Sequence, residues 1–273
     1  MTISPRIFLI GSSELDQNAL RDYLIHAGTP NWVSDAFGDL EYLTEIMGRL
    51  CYKSFEPGLN PNVTKIRKHN VDHIGNIIKS GHGSVLEHAM THWIFCDVSR
   101  ILTHELVRHR VGVAISQESL RYVRFTKLEA WRPVCFQRQS IEEKTEQIFD
   151  NVLATAIISY YDLLKLAAQS ETGEFSLDAF YRLPFNQKKE FTSAARRVLP
   201  EGMATNIGWS CNIRELRHII QMRATPFAEE EIRVVFGKVA EIAFKKWPAL
   251  FQDMKLSYDP DMLPIVTIES LKS

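Results

Sequence analysis

Apolar periodicity in this chain switches between the helical 3.6 and the strand 2 without settling into a strand–helix–strand alternation. Met90 to Val98 alternates and is rich in aromatic and β-branched residues, which predicts a strand; Thr205 to Cys211 and Tyr122 to Phe125 read as two more. Helical spacing dominates elsewhere. Ser34 to Leu50 carries Phe37, Leu40, Leu43, Met47 and Leu50 on one stripe. Asp72 is placed to cap a short helix bearing Ile74, Ile77 and Ile78, closed by Gly81. Ser99 is an N-cap for a helix running through Leu106 to about Arg108. Ile141 to about Gln169 predicts a long helix, and Asn186 to Val198 another, ended by Leu199-Pro200-Glu201-Gly202. Asn212 with Glu215 three residues on has the form of a capping box, ahead of Leu216, Ile219 and Ile220. Thr225-Pro226 opens the last helix, whose first turn holds Glu229, Glu230 and Glu231, acids suited to a positive helix end. Its inner stripe is Val235, Val239, Ile242 and Trp247. The expectation is a mixed α/β (α+β) fold in which a sheet is flanked by long helices, a single domain over residues 1–273. Residues 1 to about 32 read as an N-terminal extension, because Gly28-Thr29-Pro30-Asn31 is a turn-like break.

The chain has no GxGxxG and no Walker loop, so phosphate recognition must come from side chains rather than from a glycine-rich backbone cradle. The net charge of -1 gives no global attraction to nucleic acid or to an anionic membrane, so any anion site is a local cluster. A nucleic-acid-binding module would show a basic stripe instead. No apolar run approaches a membrane span. Ile7-Phe8-Leu9-Ile10 is too short for a secretory leader, and the four cysteines contain no CxxC pair, so reduced thiols in a cytoplasmic protein are expected.

The densest polar run is Arg108-His109-Arg110-Val111-Gly112-Val113-Ala114-Ile115-Ser116-Gln117-Glu118-Ser119-Leu120-Arg121-Tyr122. Its apolar middle, Val111 to Ile115, separates two polar clusters, which suits a site that grips an anion and covers a flat ring. Cations at the end of a helix also stabilise it by about 0.3–1 kcal/mol. Three in a row fan over a wide arc, however, and arginine forks match phosphate oxygens in pairs. Further clusters lie downstream at Arg196-Arg197 and at Asn212, Arg214, His218 and Arg223, where Arg214 and His218 share a helix face. Upstream, Gly81-His82-Gly83-Ser84-Val85-Leu86-Glu87-His88 reads equally as a polar turn or a cofactor loop.

Metal and nucleophile readings are weaker. His104 and His109 are five apart, about 140° round a helix, not the i, i+4 pair of a zinc protease. His88 and His92 head a strand, where four extended steps separate them by roughly 13 Å. Cys96 lies in the apolar alternation and reads as a buried small hydrophobe; Cys51, Cys135 and Cys211 have no activating partner in sequence.

Taken together, these segments resemble the flavin-dependent thymidylate synthases. That family carries a GHxSxxEH-like segment, an RHR triplet, a serine with an Arg-Tyr pair, an ARxVLP segment, and NxR with a later arginine. The matches, in the same order, are His82, Ser84 and Glu87; Arg108, His109 and Arg110; Ser119, Arg121 and Tyr122; Arg196 before Val198-Leu199-Pro200; and Asn212, Arg214 and Arg223. The resemblance implies a homotetramer with sites shared between subunits. It implies FAD held by His82, Ser84, Glu87, Arg108, His109, Arg110, Asn212 and Arg214, with His218 at a position where asparagine is common. It implies a uracil nucleotide held by Arg108, Ser119, Arg121, Arg196 and Arg223, with Glu105 and Leu120 beside them. Methylenetetrahydrofolate would supply the carbon and NADPH would reduce the flavin. Arg223 and Ser119 are the residues that the resemblance places at the reacting base, the serine as a binding group and not a covalent nucleophile. An arginine near the ring would stabilise charge developing on the pyrimidine.

Several positions depart from the family pattern. Eight residues separate Arg110 from Ser119, one more than is usual. Glu105 stands where a glutamine usually precedes RHR, Leu120 replaces a small residue, and Cys51 stands near a serine that often contacts flavin. The first expectation is C5 methylation of dUMP. UMP or a specialised uracil nucleotide is the alternative.

Overall fold

The computed structural model describes residues 2–125, 127–137 and 140–270. In chain order the elements begin with β1 (Thr2–Ile3), β2 (Arg6–Ser12), α1 (Gln17–His26), α2 (Asp39–Tyr52), α3 (Asn70–Lys79) and α4 (Gly83–Leu86). They continue with β3 (Met90–Ser99), α5 (Arg100–Leu106), β4 (Val113–Gln117), β5 (Ala130–Trp131), α6 (Glu142–Thr172), α7 (Leu177–Arg182) and α8 (Phe185–Ala195). Last come β6 (Ala204–Asn212), α9 (Ile213–Arg223), α10 (Glu230–Lys246), β7 (Met254–Tyr258) and β8 (Pro264–Ile268), with short 3-10 turns at Val134–Phe136 and Arg196–Val198. The largest sheet has the order β2-β3-β6-β4; β1 pairs with β5, and β7 with β8 as an antiparallel hairpin. Strands far apart in sequence are neighbours, as expected for a mixed fold without βαβ units.

The chain forms two compact units. The first comprises Met1–Arg6, Phe95–Arg108 and Ser116–Gly208. Its core is helical: Tyr160, Leu164 and Ala168 on α6 meet Ala179 and Phe180 on α7, with Leu183 and Ala195 closing the cluster. Helix α6 runs three residues beyond the expected Gln169, to Thr172, and stops where Gly173 takes a left-handed φ of 81°, donating its N–H to Gln169. Helix α5 begins as its cap predicts, the Ser99 hydroxyl accepting the Leu102 N–H at 3.0 Å. The strand expected at Tyr122–Phe125 does not form. The Tyr122 and Val123 N–H groups both donate to the Ser119 carbonyl, so this stretch is spent on a turn. The nearby strand is β4, whose residues read in sequence only as an apolar spacer and the polar stretch after it.

The second unit comprises Ile7–Ile94, His109–Ile115 and Trp209–Ser273. Helices α9 and α10 pack on each other and on the β7–β8 hairpin through Leu216, Ile219, Ile220, Val235, Phe236, Val239 and Val266, all nearly fully buried. Gly237 allows the closest approach: a Cβ there would stand 2.2 Å from Pro264 Cγ. Helix α10 starts at Glu230, capped by the Glu229 carboxylate, and not at Thr225-Pro226, because Glu229 satisfies the Glu231 and Ile232 N–H groups. Of the expected inner stripe, Val235, Val239 and Trp247 are buried and Ile242 is only partly so.

Helix α2 starts at Asp39, later than the expected Ser34. The Ser34 hydroxyl is occupied instead, accepting the Ala36 N–H and donating to Glu45. The expected stripe is also rotated: Phe37 is 73% exposed and Leu50 48%, while Glu41, Glu45 and Arg49 are buried. Arg49 donates to Glu45 Oε1, to the Ser54 carbonyl at 2.7 Å and to the Arg67 carbonyl at 2.7 Å, and lies 5.3 Å over the Trp32 ring. A buried pair with every hydrogen-bonding group partnered tolerates the loss of water. Asp72 lies in the first turn of α3, whose cap is His69, while Ile74, Ile77 and Ile78 are buried as expected. The first 32 residues supply β2 and α1; Leu24 packs with Ile46 and Phe55.

Candidate functional site

Within the second unit, the loop before α4 and the start of α9 meet. Gly81 turns the chain with a φ of 66°, and Gly83 follows at the start of α4. A Cβ at Gly83 would stand 2.7 Å from Arg214 Nε, so glycine is what lets that guanidinium lie against the loop. Arg214 Nη1 donates to Glu87 Oε1 at 2.5 Å, and both side chains remain about half exposed. Ser84, Glu87, Arg110, Arg214 and His218 are all exposed. The His82 ring stacks on Tyr52, with centroids 5.9 Å apart and planes inclined by 23°.

Asn212 ends β6 and caps α9, its Oδ1 accepting the Glu215 N–H at 2.9 Å. Its backbone N–H donates to the Gly112 carbonyl at 3.2 Å. Gly112 has a φ of 64°, and a Cβ there would stand 2.2 Å from Asn212 Nδ2. Glu215 therefore does not reach back to complete the reciprocal box that the sequence suggests. Its carboxylate faces His109 instead: Oε1 lies 3.7 Å from His109 Nδ1. On the ring's other side, Arg223 Nε donates to His109 Nε2 at 3.0 Å. His218 meets His109 edge-on, with centroids 6.4 Å apart.

A cavity of about 360 Å³ opens beside His82, walled by Gly48, Tyr52, Ile77 and Val85 and by residues 62–67. His73 lines it, with an Nε2 that is buried and has no partner among the described residues. Burial, reinforced by the charges of Arg49 and Arg67, lowers the His73 pKa to about 4, so the ring is neutral at physiological pH.

The first unit holds the other expected residues. Leu120 is 6% exposed and anchors the turn that presents its neighbours. Ser119 Oγ accepts the Arg121 N–H at 3.3 Å, and Arg121 Nε donates to Ser193 Oγ at 3.1 Å. Arg121 also lies 5.9 Å over the Tyr122 ring. Arg196 sits half-buried in the 3-10 turn after α8. Arg100 is its neighbour: burial and then the Arg196 charge push the Arg100 guanidinium below its usual range, with Glu201 opposing. Glu105 is half-buried on α5 and Arg108 is exposed just beyond it.

Sequence reasoning missed Tyr52, His73, Arg100 and Ser193. No motif marks them in sequence, so only contacts between distant segments reveal them. The thiol expectations change in one place. Cys96 is only half-buried, whereas Cys211 is the buried one; burial raises both thiol pKa values, leaving neither poised as a thiolate.

The residues present fit FAD. Two glycine contacts that a Cβ would fill, at Gly83 and Gly112, hold Arg214 and Asn212 close to the backbone, and the half-exposed Arg214 guanidinium lies against the residue that follows the stacked His82. Residues 33–249 match the family model described as "Thymidylate synthase complementing protein". The chain is 32% identical over 242 residues to a flavin-dependent thymidylate synthase of Mycobacterium leprae (strain Br4923), covering 87% of this chain and 88% of that protein. It is 32% identical over 225 residues to a flavin-dependent thymidylate synthase of Corynebacterium efficiens, covering 82% and 83%. A third, from Mycolicibacterium gilvum, is 32% identical over 240 residues, covering 86% and 88%.

Proposed function

From the premise that this chain belongs to the thymidylate synthase complementing protein family, we propose that it is a flavin-dependent thymidylate synthase. It converts dUMP to dTMP by reductive C5 methylation, with methylenetetrahydrofolate as carbon donor, NADPH as reductant and FAD as resident coenzyme. The observation that carries this reading is the agreement between 32% identity over most of the chain and the grouping of His82, Glu87, His109, Asn212, Arg214 and Arg223 in one unit. Bound FAD supplies the two-electron chemistry.

The chain's own residues bind, orient and stabilise. His82, Ser84, Glu87, His109, Arg110, Asn212, Arg214 and His218 hold the coenzyme, with Arg108 shared between ligands. Arg108, Ser119, Arg121 and Arg196 take the nucleotide, whose phosphate suits arginine forks. Ser119 is a binding hydroxyl, consistent with its use as an acceptor in its own turn. Arg223 stands against the pyrimidine and stabilises the charge that builds on the ring as C5 attacks the one-carbon unit and later loses its proton. No activated thiol is needed, in keeping with the raised pKa values of Cys96 and Cys211. The cavity beside His82 has the size for a flat co-substrate ring.

A single catalytic domain over residues 1–273, with an N-terminal extension of about 32 residues, belongs to the same reading. So do assembly as a homotetramer and a cytoplasmic location. None of the helices among the described residues is long and apolar enough to cross a membrane. Glu105 and Leu120 are the positions that bear on nucleotide choice, and UMP or a specialised uracil nucleotide is the second reading. Tritium release from C5-labelled dUMP and UMP, with folate and NADPH present, separates them. Release from dUMP at least tenfold faster supports the first. Indifference to dUMP overturns it.

A further inference from the structure

Arginine carries only donors, so the 3.0 Å contact from Arg223 Nε requires a lone pair on His109 Nε2. The single proton of the neutral imidazole then sits on Nδ1, which faces Glu215 Oε1 at 3.7 Å. The side chains of His109 and Glu215 are 9% and 12% exposed, so water screens this pair little. Glu215 is itself located through its backbone N–H, held by Asn212 Oδ1, and His218 packs edge-on against the imidazole.

We propose that Glu215 is a positioning residue that holds His109 in the Nδ1–H tautomer and so fixes the Arg223 guanidinium. The proposal rests on the assignment of Arg223 to the nucleotide ring. Without the carboxylate, the imidazole can carry its proton on Nε2. That tautomer sets two donors against each other, and Arg223 loses the anchor that His109 provides. The larger cost falls on the reacting geometry, because coenzyme capture also rests on the Arg214–Glu87 pair and the stacked His82–Tyr52 pair, which do not involve Glu215, and the Asn212 cap is held by the Glu215 backbone rather than its carboxylate.

The test uses full-length, FAD-loaded protein and reads kcat and KM for dUMP by tritium release, together with flavin content. A glutamine oxygen can still turn its negative end to Nδ1–H, so Glu215→Gln keeps kcat within about threefold, whereas Glu215→Leu lowers kcat about 10- to 100-fold with KM and flavin content nearly unchanged. In an Arg223→Ala background the leucine substitution adds less than about twofold, because residues acting as one unit are non-additive. His109→Gln, whose amide oxygen can take the Arg223 Nε–H, likewise makes turnover insensitive to Glu215→Leu. Glu215→Met serves in place of leucine if the latter leaves the protein unfolded. The proposal is overturned if Glu215→Leu keeps wild-type kcat, or if its full effect persists in the Arg223→Ala background. Wild-type turnover by Arg223→Ala alone overturns it too, and identifies the assignment of Arg223 as the part that failed.

Discussion

Arg223 sits at the end of α9, where a cation also suits the helix dipole, so its cost as a charge in a partly buried place is offset twice. The account assigns it to the developing charge on the pyrimidine. Arg223→Ala is therefore expected to lower kcat by about 100-fold or more, while the purified protein keeps its flavin. Steady-state tritium release with the visible spectrum of the same sample checks both halves. A second residue speaks to stability. The buried His73 has a folded pKa of about 4, below the ordinary histidine value of 6.5, so the folded state resists a proton that the unfolded chain accepts. Its contribution is complete above about pH 6.5 and is lost as pH falls towards 4, with an upper bound of about 3 kcal/mol. Urea midpoints measured between pH 7 and pH 4.5 should fall for the wild type, and His73→Leu should remove part of that slope.

At the scale of elements, two devices shape the second unit: the glycine contacts and the buried charges of α2. Gly112→Ala combines a left-handed φ with a Cβ 2.2 Å from Asn212 Nδ2, which displaces the cap of α9. A loss of about 1–3 kcal/mol and of most bound flavin is expected, read by thermal melting and by absorbance. Arg49→Met strands Glu45 in the interior and should destabilise by about 3–5 kcal/mol in urea unfolding. The elements that sequence made legible share a local signature. Helices α5 and α9 announce themselves through Ser99 and Asn212, and β3 and β6 through alternation, because caps and pleats act between near neighbours. Strand β4 hides inside a run read for its charges. Tyr122–Phe125 has strand composition, but its N–H groups go to Ser119. The inner face of α2 is illegible for a different reason: Glu41, Glu45 and Arg49 look like solvent residues until their distant partners are known.

For the whole molecule, motif order along the chain carried more than any single motif. His82, Glu87, His109, Asn212, Arg214 and Arg223 are scattered over more than 140 positions and fall in one unit, whereas Ser119, Arg121 and Arg196 fall in the other. The sequence could suggest the company these residues keep but not the contacts between them, since the Glu215–His109–Arg223 chain depends on how two loops and a helix pack. The central claim is that these cations clamp a flavin against a uracil nucleotide. The direct measurement is the visible spectrum of freshly purified protein, reconstituted with FAD and titrated with dUMP and with UMP. The account predicts a yellow protein whose flavin bands shift on adding dUMP and respond far less to UMP. A colourless protein that takes up no FAD, or flavin bands indifferent to both nucleotides, would contradict it.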